Sequence, residues 1–561
     1  VLVYGDRRRH RDPRMMAAGL SEAQARLSGM APGLDRHAAT VAALIEAGRL
    51  AQGLADLAFQ ETGADGRDPA ASAAMEVALD LARQVVRSWS NGFQAIGTGA
   101  DAAARLAAVS LPDAIEVRGC EGYAFYAVYP ELYAEAARAT FSAPPRVVGL
   151  RSIGTSLAAT VAAATGAAAP ITLRPTGEPF DRELKLSPAL RTELLAPAAA
   201  GFAVVDEGPG LSGSSFDAAG RLLMEAGAVV YMPSHAGQPG GAAPPGRLAR
   251  WRAARKAHVP FEAAIEPRLA AWVRPLIGEV RAVTVISAGA WRDALPEAHR
   301  PPAWPEQERR KYRVETDEGA FLLKFAGLGA DGEAKLRRAR RLHEGGFTAE
   351  PMGLVHGFLV ERWVKGEPLV PNAARQEVLM ERLADYLGFR ACHLPEEDLD
   401  GADAEMLRTM IRRNLGLVGL DEVAERACAA LPSQRALRPM VVDGRLHAWE
   451  WIRTEDGRLV KTDALDHCQA HDLVGAQDLA WDVAGAAVEF GLDAEETERL
   501  RMRVEASAGR TIERRAVSAL TAAYLAFQIG WWRMAAEGVE GARALDRART
   551  YERICACWTP V

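Results

Sequence analysis

The stretch Phe202-Ala203-Val204-Val205-Asp206-Glu207-Gly208-Pro209-Gly210-Leu211-Ser212-Gly213-Ser214-Ser215 decides how the first half of this chain is read. Four apolar residues form a strand that carries two adjacent acids to its C-terminal end. A Gly- and Ser-rich turn follows and opens a helix over 214–226. Ligands of open parallel sheets bind beyond the strand carboxyl ends, and the free N–H groups of a helix start make an anion site there. Gly208, Gly210 and Gly213 let backbone approach a phosphate, while Ser212, Ser214 and Ser215 add hydroxyls. Paired acids beside such a cradle suit the vicinal hydroxyls of a sugar. The expected ligand chemistry is therefore a ribose 5-phosphate.

Outward from this turn, short apolar strands are expected at 145–150, 171–173 and 228–231, alternating with helices at 157–165 and 214–226. That alternation predicts an α/β fold with an open, mostly parallel sheet covered on both faces. Upstream, apolar residues three and four apart predict a helical region, 1–110. The aromatic run at 114–133 reads as strand or tight loop, within a sheet domain at 111–240. Pro and Gly at 238–246 mark a linker, and 241–279 is expected to be linker and helix. A second, α+β bilobal module is expected from 280, with a hairpin at 311–325 and a small lobe and hinge at 280–370. A mostly helical large lobe, 371–561, carries one more hairpin at 440–460.

The 561 residues are 49% hydrophobic and 25% charged, which is ordinary globular composition and excludes wholesale disorder. With 67 basic and 73 acidic side chains the net charge is −6, so no global basic field exists to hold nucleic acid. Six cysteines without CxxC spacing make no disulfide framework and fit a reducing compartment. No secretory pattern or membrane span is legible. A soluble, cytoplasmic protein is expected, with no nucleic-acid or membrane partner and a homodimer left as one option.

The 202–215 segment resembles the PRPP-binding loop of type I phosphoribosyltransferases, enzymes that transfer a ribosyl phosphate with Mg2+. The resemblance spans roughly 144–236. It implies that Asp206 and Glu207 hold the ribose hydroxyls, and that Gly210, Leu211, Ser212, Gly213, Ser214 and Ser215 cradle the 5-phosphate. One strand earlier, Arg151-Ser152-Ile153-Gly154-Thr155-Ser156 resembles the family's pyrophosphate loop, which adds Arg151, Ser152, Gly154, Thr155 and Ser156. The basic segment 174–192 matches the family's mobile loop and makes Arg182 and Lys185 catalytic candidates beside Asp206 and Glu207. Glu121, Tyr123, Tyr126 and His235 are the expected walls of an acceptor pocket for a base or nucleotide. The expected enzyme is thus a phosphoribosyltransferase using PRPP and Mg2+.

The second module resembles aminoglycoside-phosphotransferase-like kinases. Lys324, in Phe321-Leu322-Leu323-Lys324-Phe325, needs an anionic partner inside an apolar strand. The resemblance implies that Lys324 holds ATP phosphates and that Glu333 on the next helix orients it. The catalytic loop aligns with Asp443-Gly444-Arg445-Leu446-His447-Ala448-Trp449-Glu450, which puts Arg445 at the catalytic aspartate and Glu450 at the metal-binding asparagine. An arginine stays cationic and cannot act as a base, so His447 or Asp443 is the substitute proton acceptor. Glu450 and Asp463 are the candidate Mg2+ ligands. His467-Cys468 with His471-Asp472 lacks a second pair at ligand spacing and reads as structural. Two functions follow: an enzyme joining ribosyl and phosphoryl chemistry on a small nucleotide-like molecule, or a regulatory protein that senses a phosphoribosyl metabolite through a pseudokinase-like module.

Overall fold

Asp12 and Asp68 each precede a proline, and each carboxylate caps the helix that follows, Pro13–Gly29 and Pro69–Ser90. In the computed structural model, which describes residues 8–94, 102–297, 300–369, 377–394, 399–468 and 474–560, these helices flank a 29-residue helix, Leu34–Thr62. β1 (Arg8–Arg11) pairs antiparallel with β2 (Ile115–Arg118) beside them. Within the aromatic segment 114–133, β2 and the loop 125–129 fit the expected strand and loop, and the rest is helical. Glu121–Ala124 is a helical turn, and Pro130–Thr140 is a helix with Pro130 at its first turn.

β3 (Arg146–Leu150), β4 (Ile171–Leu173), β7 (Phe202–Val205), β8 (Val229–Met232) and β9 (Arg255–Lys256) form one parallel sheet in the order β4-β3-β7-β8-β9. Every residue of β7 and β8 is buried, as continuous apolar runs require when helices cover both faces. β5 (Thr176–Glu178) and β6 (Asp181–Glu183) make a small hairpin, and a short helix, Pro188–Leu194, follows it within the segment expected to be a mobile loop. The helix Gly154–Thr165 packs very close to the sheet. A Cβ on Gly154 would stand 2.5 Å from the Val205 carbonyl oxygen, and one on Gly149 2.4 Å from that of Gly154. Gly154→Ala should therefore cost about 1–3 kcal/mol through forced backbone movement, a loss that chemical denaturation would read.

β10 (Val280–Val285), β11 (Lys311–Thr316), β12 (Gly319–Phe325), β13 (Pro351–Val355) and β14 (Phe358–Arg362) form an antiparallel sheet in the order β10-β11-β12-β14-β13. The helix Ala330–Glu344 lies between β12 and β13 in sequence. β15 (Glu367–Pro368), β16 (Trp451–Arg453) and β17 (Leu459–Lys461) make a three-stranded sheet against a mainly helical C-terminal region. One continuous apolar core joins Leu44 and Leu50 of the N-terminal helices, Val205 of β7, and Tyr312 and Phe358 of the antiparallel sheet. A second holds Leu407, Trp481 and Phe527 of the C-terminal helices. No described helix is long and apolar enough to cross a membrane.

Candidate functional site

Two clefts contain the chemistry-bearing residues. The first opens beyond the carboxyl ends of β3 and β7 and has a volume of about 420 Å³. Glu121, Arg151, Ser152, Arg182, Asp206, Glu207, Gly210, Ser215 and His235 all line it. The Gly122 N–H donates to Glu207 Oε2 at 3.1 Å, and the Glu207 N–H to Asp206 Oδ1 at 2.8 Å. Burial raises both acids, Asp206 to about 7 and Glu207 to about 8, the latter pushed further by Glu121 and Asp206. A neighbouring cavity shares Glu207, Gly210 and His235 and reaches Tyr126.

Several expected phosphate ligands are spent elsewhere. Arg151 donates from Nε to Asp56 at 2.9 Å, from its terminal nitrogens to Asp65, and to the Thr172 carbonyl at 3.1 Å. Arg174 binds the same two aspartates, so four buried charges neutralise one another. The Ser156 hydroxyl bonds the Tyr123 hydroxyl at 2.8 Å, which also places Tyr123 in the core instead of in a pocket wall. Thr155 is buried with no partner for its hydroxyl, and Gly154 is packed against β7. Ser212 donates to Ser214 at 2.9 Å, both buried, and Leu211 points outward at 62% exposure. Gly213 supplies the left-handed turn (φ +67°) that starts the helix Ser214–Leu223. Lys185 is exposed, pairs with Glu183 at 3.2 Å, and lines a different surface hollow with Arg191.

The second cleft, about 460 Å³, lies between the antiparallel sheet and the C-terminal region. Lys324, 7% exposed on β12, places Nζ against Asp463 and 2.6 Å from Asp466. Burial opposes the ammonium, but these two carboxylates outweigh it and hold Lys324 above the usual lysine range. Asp463 follows β17 in a left-handed conformation (φ +52°) that turns its carboxylate toward Lys324. Glu333 is not the partner of Lys324, because it is exposed. Two helical positions onward face the other way, so it is Lys335 that points inward, 3.0 Å from Asp466. Glu333→Ala should leave stability within about 0.5 kcal/mol, whereas Lys335→Ala should destabilise measurably.

The loop 443–450 is locked by its own contacts. Asp443 accepts from Tyr386, lies 3.5 Å from the Lys461 Nζ, and its N–H donates to Asp482 at 2.7 Å. His447 is buried with Nδ1 2.8 Å from Glu489, while Arg445 donates to its Nε2 at 2.9 Å. Burial pulls His447 down, and it does not line the cleft, which corrects its place in a nucleotide site. Arg445 does line the cleft and lies 4.2 Å over the Trp531 ring. Glu450 faces the cleft with Lys461 2.8 Å away. Each of the expected Mg2+ ligands, Glu450 through Oε2 and Asp463 through Oδ1, is thus paired with a lysine ammonium. His471 and Asp472 lie outside the described residues.

Sequence reasoning missed Asp466, Lys335 and Glu361. Glu361 lines the cleft from β14 and burial lifts it to about 7. Seven lysines and arginines against five acids line this cleft, together with six tryptophans. A cationic, aromatic-walled cavity of this volume suits an anionic ligand with a flat ring.

No family model matches the chain, and no curated protein matches it. Among solved structures it is similar to the choline kinase LicA of Streptococcus pneumoniae, at 14% identity and a TM-score of 0.36 over 52% of this chain and 99% of that one. A spectinomycin phosphotransferase, APH(9)-Ia, in complex with ADP and spectinomycin, gives 10% and 0.36 over 51% and 93%. A macrolide 2′-phosphotransferase type I gives 14% and 0.34 over 51% and 97%. At these scores the likeness by itself assigns neither substrate nor mechanism. The expectation of a phosphoribosyltransferase is overturned at the site itself, because the would-be pyrophosphate loop has its guanidinium and its Ser156 hydroxyl consumed by internal partners. PRPP loses its support with it.

Proposed function

We propose that the cleft around Lys324 binds a nucleoside phosphate and that the C-terminal half is a phosphotransferase-type module acting on, or regulated by, a small molecule. One observation carries this reading. Lys324 stands inside an apolar strand between Asp463 and Asp466, at the wall of a cleft with more cations than acids. A phosphate group entering there would exchange carboxylate contacts for its own, and charge-assisted contacts to phosphate are among the strong ones. The tryptophans would stack a base.

A regulatory reading, in which nucleotide is bound and not turned over, is favoured by Arg445 at the position where a proton acceptor would stand. In it, the Asp206–Glu207 cleft holds a hydroxyl-rich small molecule. Incubation with ATP and a panel of small alcohols and amines, followed by phosphorus NMR, separates the two. Product formation lost in Lys324→Met supports transfer. Nucleotide protection of the fold without product supports regulation. Neither binding nor product would remove both.

A further inference from the structure

We propose that His37, Glu131 and His356 form a binding site for a divalent transition-metal ion, with Zn2+ the best chemical fit, that ties the N-terminal helices to the antiparallel sheet. The three residues come from separate parts of the chain. His37 is on the helix Leu34–Thr62, Glu131 in the first turn of Pro130–Thr140, and His356 in the two-residue turn between β13 and β14. Glu131 Oε1 lies 2.7 Å from Nε2 of both histidines, and the three atoms all fall within 4.8 Å of one another. Zinc–nitrogen and zinc–oxygen bonds of about 2.0–2.2 Å put tetrahedral ligands roughly 3.4 Å apart. Small side-chain shifts from the present contacts reach that spacing.

The donor set and its surroundings both favour a metal. Two imidazoles and one carboxylate are the ligand types of Zn2+ and its neighbours, not of Mg2+ or Ca2+. Glu131 Oε2 is fully buried with no hydrogen-bond partner, while Oε1 takes two contacts. That lopsided carboxylate offers a fourth ligand atom. The side chains of all three are at most 1% exposed, in a box walled by Trp89, Phe93, Tyr129 and Trp272. His356 is held in a left-handed conformation (φ +40°), its carbonyl pinned by the Tyr129 hydroxyl at 2.7 Å. Strain of that kind persists where surrounding structure demands it.

The test uses full-length protein in a Cys392→Ser/Cys557→Ser background, because those two exposed thiols could take zinc themselves. Elemental analysis should find about one equivalent of a first-row divalent metal. After chelator stripping, added Zn2+ should raise the thermal midpoint in a concentration-dependent way, and Mg2+ should not. His37→Gln and His356→Asn should each weaken zinc binding by more than the roughly 10–100-fold that loss of a supporting partner causes. The proposal is overturned if the parent protein binds no Zn2+, Co2+ or Ni2+ and its midpoint does not respond. It is equally overturned if the His37→Gln/His356→Asn variant retains the metal. The parent measurement decides the question should either variant fail to fold.

Discussion

Lys324→Met should abolish detectable nucleotide binding and destabilise the protein by about 3–5 kcal/mol, the scale observed when one partner of a buried ion pair is removed. The cause is electrostatic. Asp463 and Asp466 are both held well below the usual carboxylate range against the cost of burial, Asp463 by Lys324 and His467, Asp466 by Lys324 and Lys335. Without the ammonium, the ion-pair partner left to Asp463 among the described residues is the more distant His467, at 3.8 Å, with Lys311 acting from farther away. Asp463→Asn alone should cost less, since Lys324 retains Asp466 at 2.6 Å. Combining the two substitutions should recover part of the stability lost in Lys324→Met, because the amide no longer buries an unpaired charge. Additive losses in that cycle would mean that the pair is not coupled.

The second large effect is one of pH. Asp206→Asn/Glu207→Gln should stabilise the protein at pH 8 by about 2–4 kcal/mol and by little near pH 4. Both acids have raised values when folded, about 7 and about 8, against about 4 when unfolded. Between those limits the folded protein keeps protons that the unfolded chain has released. Unfolding therefore releases protons, and stability falls as pH rises across that window. The amides carry no charge and escape this loss. Denaturation at pH 4, 6 and 8 reads the difference, and a gain independent of pH would contradict the burial of these side chains as acids. Such a cost in the free protein is expected of groups kept for a ligand and not for the fold.

Much of the architecture was legible because it is local. The buried runs that became β3, β7 and β8 and the hairpin of β11 and β12 announce themselves through apolar continuity and turn residues. The Asp206–Ser215 turn and Glu121 were legible as neighbours of one cleft, and Lys324 with Asp463 as residues of another. What was hidden depends on charges that meet across long separations. Arg151 looked like a phosphate ligand because nothing near it in sequence marks Asp56 and Asp65 as its partners. Glu333 and Lys335 both fit a helix facing the cleft, and only the helix's rotation selects between them. Glu131 with His37 and His356 shows no motif at all, since its ligand atoms come from positions 94 and 225 residues apart.

The most direct measurement of the central claim is calorimetric titration of the full-length protein with ATP, once with Mg2+ and once with excess EDTA. If the Lys324 ammonium holds the phosphates, binding should appear in at least one buffer and vanish from both in Lys324→Met. No binding in either buffer, or binding that survives in Lys324→Met, would contradict it.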